Sequence, residues 1–60
     1  MKILDFNQTV QFLTLKPSHL RKLIFNREIP FFKVGRLVRF KASELEQWIN
    51  KNTKEVLNEQ

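Results

Sequence analysis

Apolar positions in this chain recur first at helical spacing, then at strand spacing, and then at helical spacing again. Asp5 and Gln8 stand three residues apart as a capping box, which marks a helix start. The apolar positions that follow, at intervals of four and three, are Phe6, Val10 and Leu13. We therefore predict a first helix over Phe6–Leu13.

A second helix is predicted from Pro17, because proline fits a first helical position, where its missing N–H would be unpaired anyway. Pro30 disfavours helical backbone at Ile29, so this helix should end near Asn26. The predicted inward stripe is Leu20, Leu23, Ile24 and Arg27. The opposite stripe is Ser18, Arg21, Lys22 and Phe25.

Alternating residues from 31 to 41 predict a β-hairpin. Gly35 and Arg36 lie at its middle, and glycine at the first of two loop positions suits a type II′ turn, which needs a positive φ there. The alternation predicts an inner face of Phe32, Val34, Val38 and Phe40. It predicts an outer face of Phe31, Lys33, Leu37, Arg39 and Lys41.

A third helix is predicted from a second capping box at Ser43 and Glu46. Its apolar stripe continues through Leu45, Trp48 and Ile49, which we expect in the core. The expected fold class is mainly α with a small β-hairpin, in the α-α-β-β-α order of a winged helix-turn-helix. The winged helix-turn-helix domain is expected to occupy residues 1–51, and residues 52–60 are expected to form a polar C-terminal tail or a helix extension.

Positive charge is concentrated in the middle of the chain. Residues 16–41 carry eight Lys and Arg against one acid, whereas the remainder carries three cations against five acids. Nucleic-acid phosphates are the expected partner of such a segment. The expected contacts from the second helix are Lys16, Ser18, His19, Arg21, Lys22 and Asn26. Those from the hairpin wing are Lys33, Gly35, Arg36, Arg39 and Lys41.

Alternative interpretations stay open for several of these residues. The charged helix side can be a solvated face, and charged hairpin edges also prevent edge pairing. Phe25 either contacts a thymine methyl or a partner protein from the outward stripe, or is buried if the boundary shifts by one residue. Phe31 and Leu37 are covered either by a neighbouring copy on DNA or by the last helix or tail.

The sequence lacks the residues that other classes of function require. There is no cysteine and His19 is the only histidine, so we expect no metal site. His19 has no nearby acidic partner in the sequence and no catalytic pairing of a histidine with a nucleophile is indicated. No Gly-rich phosphate loop occurs either, so we expect no enzyme and no cofactor. The chain lacks the roughly 18 apolar residues of a membrane span and the apolar run of a signal peptide. We therefore expect a cytoplasmic, nucleoid-associated protein with no membrane partner.

The sequence resembles the small excisionase and AlpA-like winged helix-turn-helix family, which is related to MerR regulators. The resemblance covers roughly residues 4–49. It rests on Leu4-Asp5-Phe6, Phe12-Leu13, Leu20, Leu23-Ile24, Glu28-Ile29-Pro30, Lys33-Val34-Gly35-Arg36, Arg39-Phe40 and Ser43-Glu44-Leu45-Glu46-Gln47-Trp48-Ile49. Lys16 stands where the family usually has a serine-type cap, and Arg27 where a glycine is common.

The resemblance implies double-stranded DNA binding, with helix two in the major groove and the hairpin on the minor groove or its phosphates. It implies an excisionase of a phage or mobile element, acting in DNA recombination beside neighbouring copies and a cognate integrase. A small regulator of transcription is the alternative. From a different class, the cations could bind an acidic protein partner. We expect a monomer in free solution, because the residues after Asn50 are too few for a coiled coil.

Overall fold

The computed structural model describes the backbone of residues 2–58 and the side chains of residues 2–52. The elements in chain order are β1 (Ile3–Leu4), α1 (Phe6–Leu13), α2 (Pro17–Phe25), β2 (Phe32–Val34), β3 (Leu37–Lys41) and α3 (Ala42–Asn58). Three helices and a small antiparallel sheet confirm the predicted fold class. The last two residues of the predicted tail, 59 and 60, lie outside the described residues, as does Met1.

Helix α1 has the predicted bounds, and its capping box is formed. The backbone N–H of Asp5 donates to Gln8 Oε1 at 2.9 Å, and the backbone N–H of Gln8 donates to Asp5 Oδ1 at 2.7 Å. The hydroxyl of the fully buried Thr9 donates to the Asp5 carbonyl at 2.8 Å. Asp5 thus accepts hydrogen bonds from the start of α1 with both its side chain and its backbone carbonyl.

Helices α1 and α2 both end in a Schellman motif with a left-handed residue that is not glycine. After α1 this residue is Thr14, with φ 54°, and after α2 it is Arg27, with φ 55°. The Arg27 N–H donates to the Ile24 carbonyl at 3.0 Å, and the Glu28 N–H donates to the Leu23 carbonyl at 2.8 Å. These two bonds are the pair that defines the motif. The placement of Arg27 on the inward stripe of the helix is therefore wrong.

The sheet has the strand order β1-β3-β2, and both strand pairs are antiparallel. Val34 pairs with Leu37, so Gly35 and Arg36 form a two-residue loop as predicted. Gly35 has φ 64°, whereas Arg36 is not among the described residues with positive φ. This is the pattern of a type II′ turn, and glycine supplies its left-handed position without a Cβ penalty. Strand β1 is not predicted from the sequence, because its two residues are too few to show a periodicity.

The predicted faces of the hairpin are right for β3 and wrong for β2. Residues paired across strands lie on the same face. Val34 therefore shares a face with Leu37, and Lys33 shares the opposite face with Val38. A two-residue loop pairs residues three apart, so the odd and even positions exchange faces across the turn. The inner face is Leu4, Lys33, Val38 and Phe40, and the outer face is Ile3, Phe32, Val34, Leu37, Arg39 and Lys41. Phe31, directly before β2, lies on the side of the core.

The core draws one residue from each of five parts of the chain. Its buried members are Leu4, Leu20, Ile29, Phe40 and Leu45. They come from β1, α2, the connection between α2 and β2, β3 and α3. Phe31 and the inner-face residue Val38 pack against this cluster, which agrees with the corrected faces. One small core therefore holds α2 and the sheet together.

Helix α3 follows β3 with no intervening loop. The Ala42 N–H donates to the Lys2 carbonyl at 3.0 Å, which continues the pairing of β1 with β3 into the first residue of the helix. Ser43 is the second helical residue, so its predicted place as the N-terminal cap is wrong. Leu45 is fully buried, and Trp48 packs against the core as predicted.

The indole of Trp48 also forms a hydrogen bond with the connection between α2 and β2. Its Nε1–H donates to the Glu28 carbonyl at 2.9 Å, between residues 20 positions apart in the sequence. That carbonyl lies directly after the left-handed Arg27 and beside the buried Ile29. This bond therefore ties α3 to the segment that leads from α2 into the wing.

We predict that Trp48→Phe lowers the free energy of unfolding by about 1 kcal/mol, because the Glu28 carbonyl loses its donor while the aromatic packing is largely kept. Urea unfolding followed by far-ultraviolet circular dichroism measures the change. Phe12→Leu, at a side chain that is 42% exposed, serves as the control and should leave stability nearly unchanged. Equal stability of Trp48→Phe and the wild type would contradict the assigned role.

Candidate nucleic-acid interface

The side of α2 that points away from the core is continuous and solvent-exposed. At roughly 100° per residue, Ser18, Lys22 and Phe25 fall within about 60° of one another, opposite the buried Leu20. Arg21 flanks this line on one side, and His19 and Asn26 flank it on the other. All of these outward side chains are exposed. The predicted recognition-helix residues therefore form one surface.

The N-terminal end of α2 also faces solvent. Lys16 occupies the cap position with φ −78° and ψ 146°, and its side chain makes no capping hydrogen bond. Pro17 is the first helical residue, as predicted. A lysine cannot accept a hydrogen bond from the first-turn N–H groups, so these donors have no side-chain acceptor from the cap residue. An anion close to Lys16 would be favoured by both the cation and the helix dipole.

Arg21 is positioned by an aromatic ring of the preceding helix. Its guanidinium carbon lies 5.3 Å from the centroid of the Phe6 ring, within the range of a cation–π interaction. The contact joins α1 to α2 and restricts a side chain that would otherwise sample many rotamers. Such a restraint lowers the entropy lost when the guanidinium forms hydrogen bonds.

A concavity connects the end of α2 with the start of the wing. It has a volume of about 530 Å³ and is lined by Ile24, Phe25, Arg27, Phe31 and Lys33. The predicted wing residue Lys33 thus lies with Arg27, which was not predicted as a contact, and with Phe25, for which a contact was one of the two open interpretations. The sequence signal for Phe25 is its place on the predicted outward stripe. The signal for Arg27 is its occurrence where the resembling family commonly has a glycine, which agrees with its left-handed backbone.

The remaining wing residues divide between the turn and the outer face. Gly35 and Arg36 are exposed at the turn, whereas Arg39 and Lys41 are half-buried on the outer face. The Arg39 Nη1–H donates to the Val38 carbonyl at 2.7 Å. Lys33 and Arg39 were expected on one face, but the pairing register places them on opposite faces. Of the four wing cations, only Lys33 lines the concavity with α2.

The outer face of the sheet is a second exposed surface. Val34 is 57% exposed and Leu37 is 54% exposed, and they lie side by side in the hairpin. The prediction of an apolar and basic outer face holds for Leu37 and Arg39 and fails for Phe31, which packs against the core. Phe25 is 86% exposed, so the interpretation that it is buried is wrong.

The chemistry available on α2 and the wing is that of hydrogen-bond donors and positive charge. Within residues 2–52, no three His, Cys, Asp or Glu side chains are grouped so that they could hold a metal ion. None of the helices within residues 2–58 combines the length and apolar character needed to cross a membrane. Guanidinium, ammonium, amide and hydroxyl groups can bind phosphates and the edges of bases.

A family model described as a helix-turn-helix domain matches residues 3–53 of the chain. The chain belongs to this helix-turn-helix family. The match begins at β1 and extends into α3, so it includes both helices of the motif and the complete sheet. Searches of curated proteins and of solved structures found no match. In helix-turn-helix domains that bind DNA the second helix enters the major groove, and α2 is the second helix of the motif in this chain. Membership of the family suggests DNA binding.

We predict that Arg27→Gly makes the helix-turn-helix domain more stable, by roughly 0.5–1 kcal/mol, because glycine adopts a positive φ without the clash that a Cβ creates. The same change should weaken DNA binding, since a cation is removed beside Lys33. Urea unfolding and duplex titration measure the two effects. Arg27→Lys, which keeps both the charge and the strain, should change neither much. A stability loss in Arg27→Gly would contradict the strain.

Proposed function

We propose that this helix-turn-helix protein is a non-catalytic, sequence-specific double-stranded DNA-binding protein. Helix α2 occupies the major groove, and the hairpin wing lies on the adjacent minor groove or its phosphates. One observation carries the proposal. The exposed face of α2, which has no acidic residue, ends at Phe25 in a concavity that Arg27 and the wing cation Lys33 also line. The positive charge on these two neighbouring elements is complementary to the negative charge of a DNA duplex.

The proposed roles follow from the donor groups. Arg21 pairs with a guanine, because two guanidinium N–H groups can donate to the guanine O6 and N7. Asn26 pairs with an adenine, because its amide can accept from the adenine N6–H and donate to N7. Ser18 and His19 contact bases or phosphates at the start of the helix. Lys16, Lys22, Lys33, Arg39 and Lys41 contact phosphates. Arg36 extends from the Gly35 turn toward a minor groove, where a narrow groove attracts a cation.

In the biological role that we propose, the protein is an excisionase of a phage or mobile element. The resemblance of residues 4–49 to the excisionase and AlpA-like family supports this role, and a small regulator of transcription is the alternative. The proposal includes a monomer in free solution, neighbouring copies and a cognate integrase on DNA, and association with the nucleoid in the cytoplasm.

Titration of labelled duplexes at several salt concentrations tests DNA binding. With at least five phosphate contacts, the slope of log K against log salt should be roughly −4.5 or steeper. Lys33→Ala should weaken selected and random duplexes alike and reduce the slope by about 1. Arg21→Ala should weaken a selected duplex by about 1–3 kcal/mol, because its base contact is lost, and should change random DNA much less.

Arg21→Lys is the matched control in this titration. It keeps the positive charge but lacks the planar fork, so it should behave like Arg21→Ala on the selected duplex and like the wild type on random DNA. Undetectable binding of the wild type at low salt would overturn the proposed function. Equal losses for the Arg21 and Lys33 variants on both DNAs would overturn the division of roles.

A circular-permutation gel separates the two biological roles. An excisionase should bend its site, so the mobility of the complex should depend on where the site lies in the fragment, and the protein should stimulate excision by its recombinase. Mobility that is independent of position, together with no stimulation, would exclude the excisionase role and leave the regulator.

A protein-interaction module is the competing class, and the exposed apolar outer face of the hairpin favours it. Val34 and Leu37 present aliphatic surface beside Arg39, a combination that also occurs at protein interfaces. Capture of an acidic protein that survives nuclease treatment and resists competition by DNA would support this class. Loss of that capture on adding duplex would support DNA as the primary partner.

A further inference from the structure

Phe25 is an aromatic residue that the fold does not use. Its side chain is 86% exposed and is absent from the side chains that pack against the core. It lies three positions after Lys22 and seven after Ser18, at the C-terminal end of the outward face of α2. A ring at this place meets whatever the outward face of the helix meets. Phe25 is therefore available to contact a binding partner.

The surroundings of Phe25 select the chemistry of that partner. The ring lines the concavity with Arg27 and Lys33, and Lys22 precedes it by three positions on the same face. A purely apolar partner would leave these three cations without counter-charges. A partner that suits the site has anionic groups on either side of an apolar one. The major groove of DNA has this composition, because thymine exposes its 5-methyl group between two rows of phosphates.

We infer that Phe25 makes an apolar contact with the 5-methyl group of a thymine and thereby selects thymine at one position of the binding site. The inference rests on the proposed function and names a specificity-determining residue for it. Arg27 and Lys33 bind the phosphates beside that thymine and hold the backbone against the end of α2. No hydrogen bond is required of Phe25, so the discrimination comes from one methyl group.

A single-methyl substitution in DNA tests the inference. The probe is a duplex recovered from a random pool by the wild-type protein, together with copies in which each thymine in turn is replaced by deoxyuridine, which lacks only the methyl. At one thymine the replacement should weaken wild-type binding by roughly fourfold, the value expected for one buried methyl-sized group. Phe25→Ala should bind the thymine and uracil duplexes equally at that position.

Phe12→Ala is the matched control, since Phe12 is a partly exposed aromatic residue on α1, 42% accessible, and outside the proposed interface. It should keep the wild-type sensitivity to the methyl. Thermal unfolding of Phe25→Ala should match the wild type, because the removed ring is exposed. The deoxyuridine scan on the wild-type protein needs no variant, so it tests the inference whatever the variant does.

The possible outcomes distinguish failure of the thymine contact from failure of the proposed DNA binding. Failure of the wild type to bind any duplex overturns both. A selected duplex that binds tightly, but lacks thymine or is unaffected by uracil at every position, overturns the inference and leaves the proposed function. Full methyl sensitivity in Phe25→Ala would assign the methyl contact to another residue. If Phe25→Ala instead lost cooperativity between two sites and kept the methyl effect, Phe25 would contact a second copy.

Discussion

Burial of Phe40 and Leu20 in one small core is the constraint on which the rest of the molecule depends. Phe40 lies on β3, the central strand, which pairs with both β1 and β2, and Leu20 is the buried residue of α2. Because both side chains share one cluster, the outward face of α2 and the hairpin hold a defined relation to each other. A 60-residue chain without cysteine has no covalent cross-link to replace that cluster.

The connection between α2 and β2 shows how the domain balances stability against charge. Arg27 holds a left-handed backbone conformation, which costs a residue with a Cβ about 1–2 kcal/mol and which glycine adopts freely. Two backbone bonds of the Schellman motif, the buried Ile29 and the Trp48 bond to Glu28 maintain that conformation. In return, the arginine places a cation beside Lys33. This compensation explains how a strained residue persists next to the proposed interface.

The pairing register gives the two faces of the wing different surroundings. Lys33 extends from the inner face past the core toward the end of α2, whereas Arg39 and Lys41 lie on the outer face among Ile3, Val34 and Leu37. The wing is therefore not a uniformly basic element. Its inner cation lies beside the end of α2, and its outer face is a mixed apolar and basic surface.

The sequence by itself determined the local features. The capping box of Asp5, the start of α2 at Pro17 and the turn at Gly35 follow from hydrogen bonds and backbone restrictions that act within a few residues, and the charge segregation can be counted directly. Only the tertiary structure decided β1, the faces of the hairpin, the burial of Ile29 in an irregular segment and the meeting of Phe25, Arg27 and Lys33. These depend on pairing and packing between residues far apart in the chain, for which the period of a short segment carries no information.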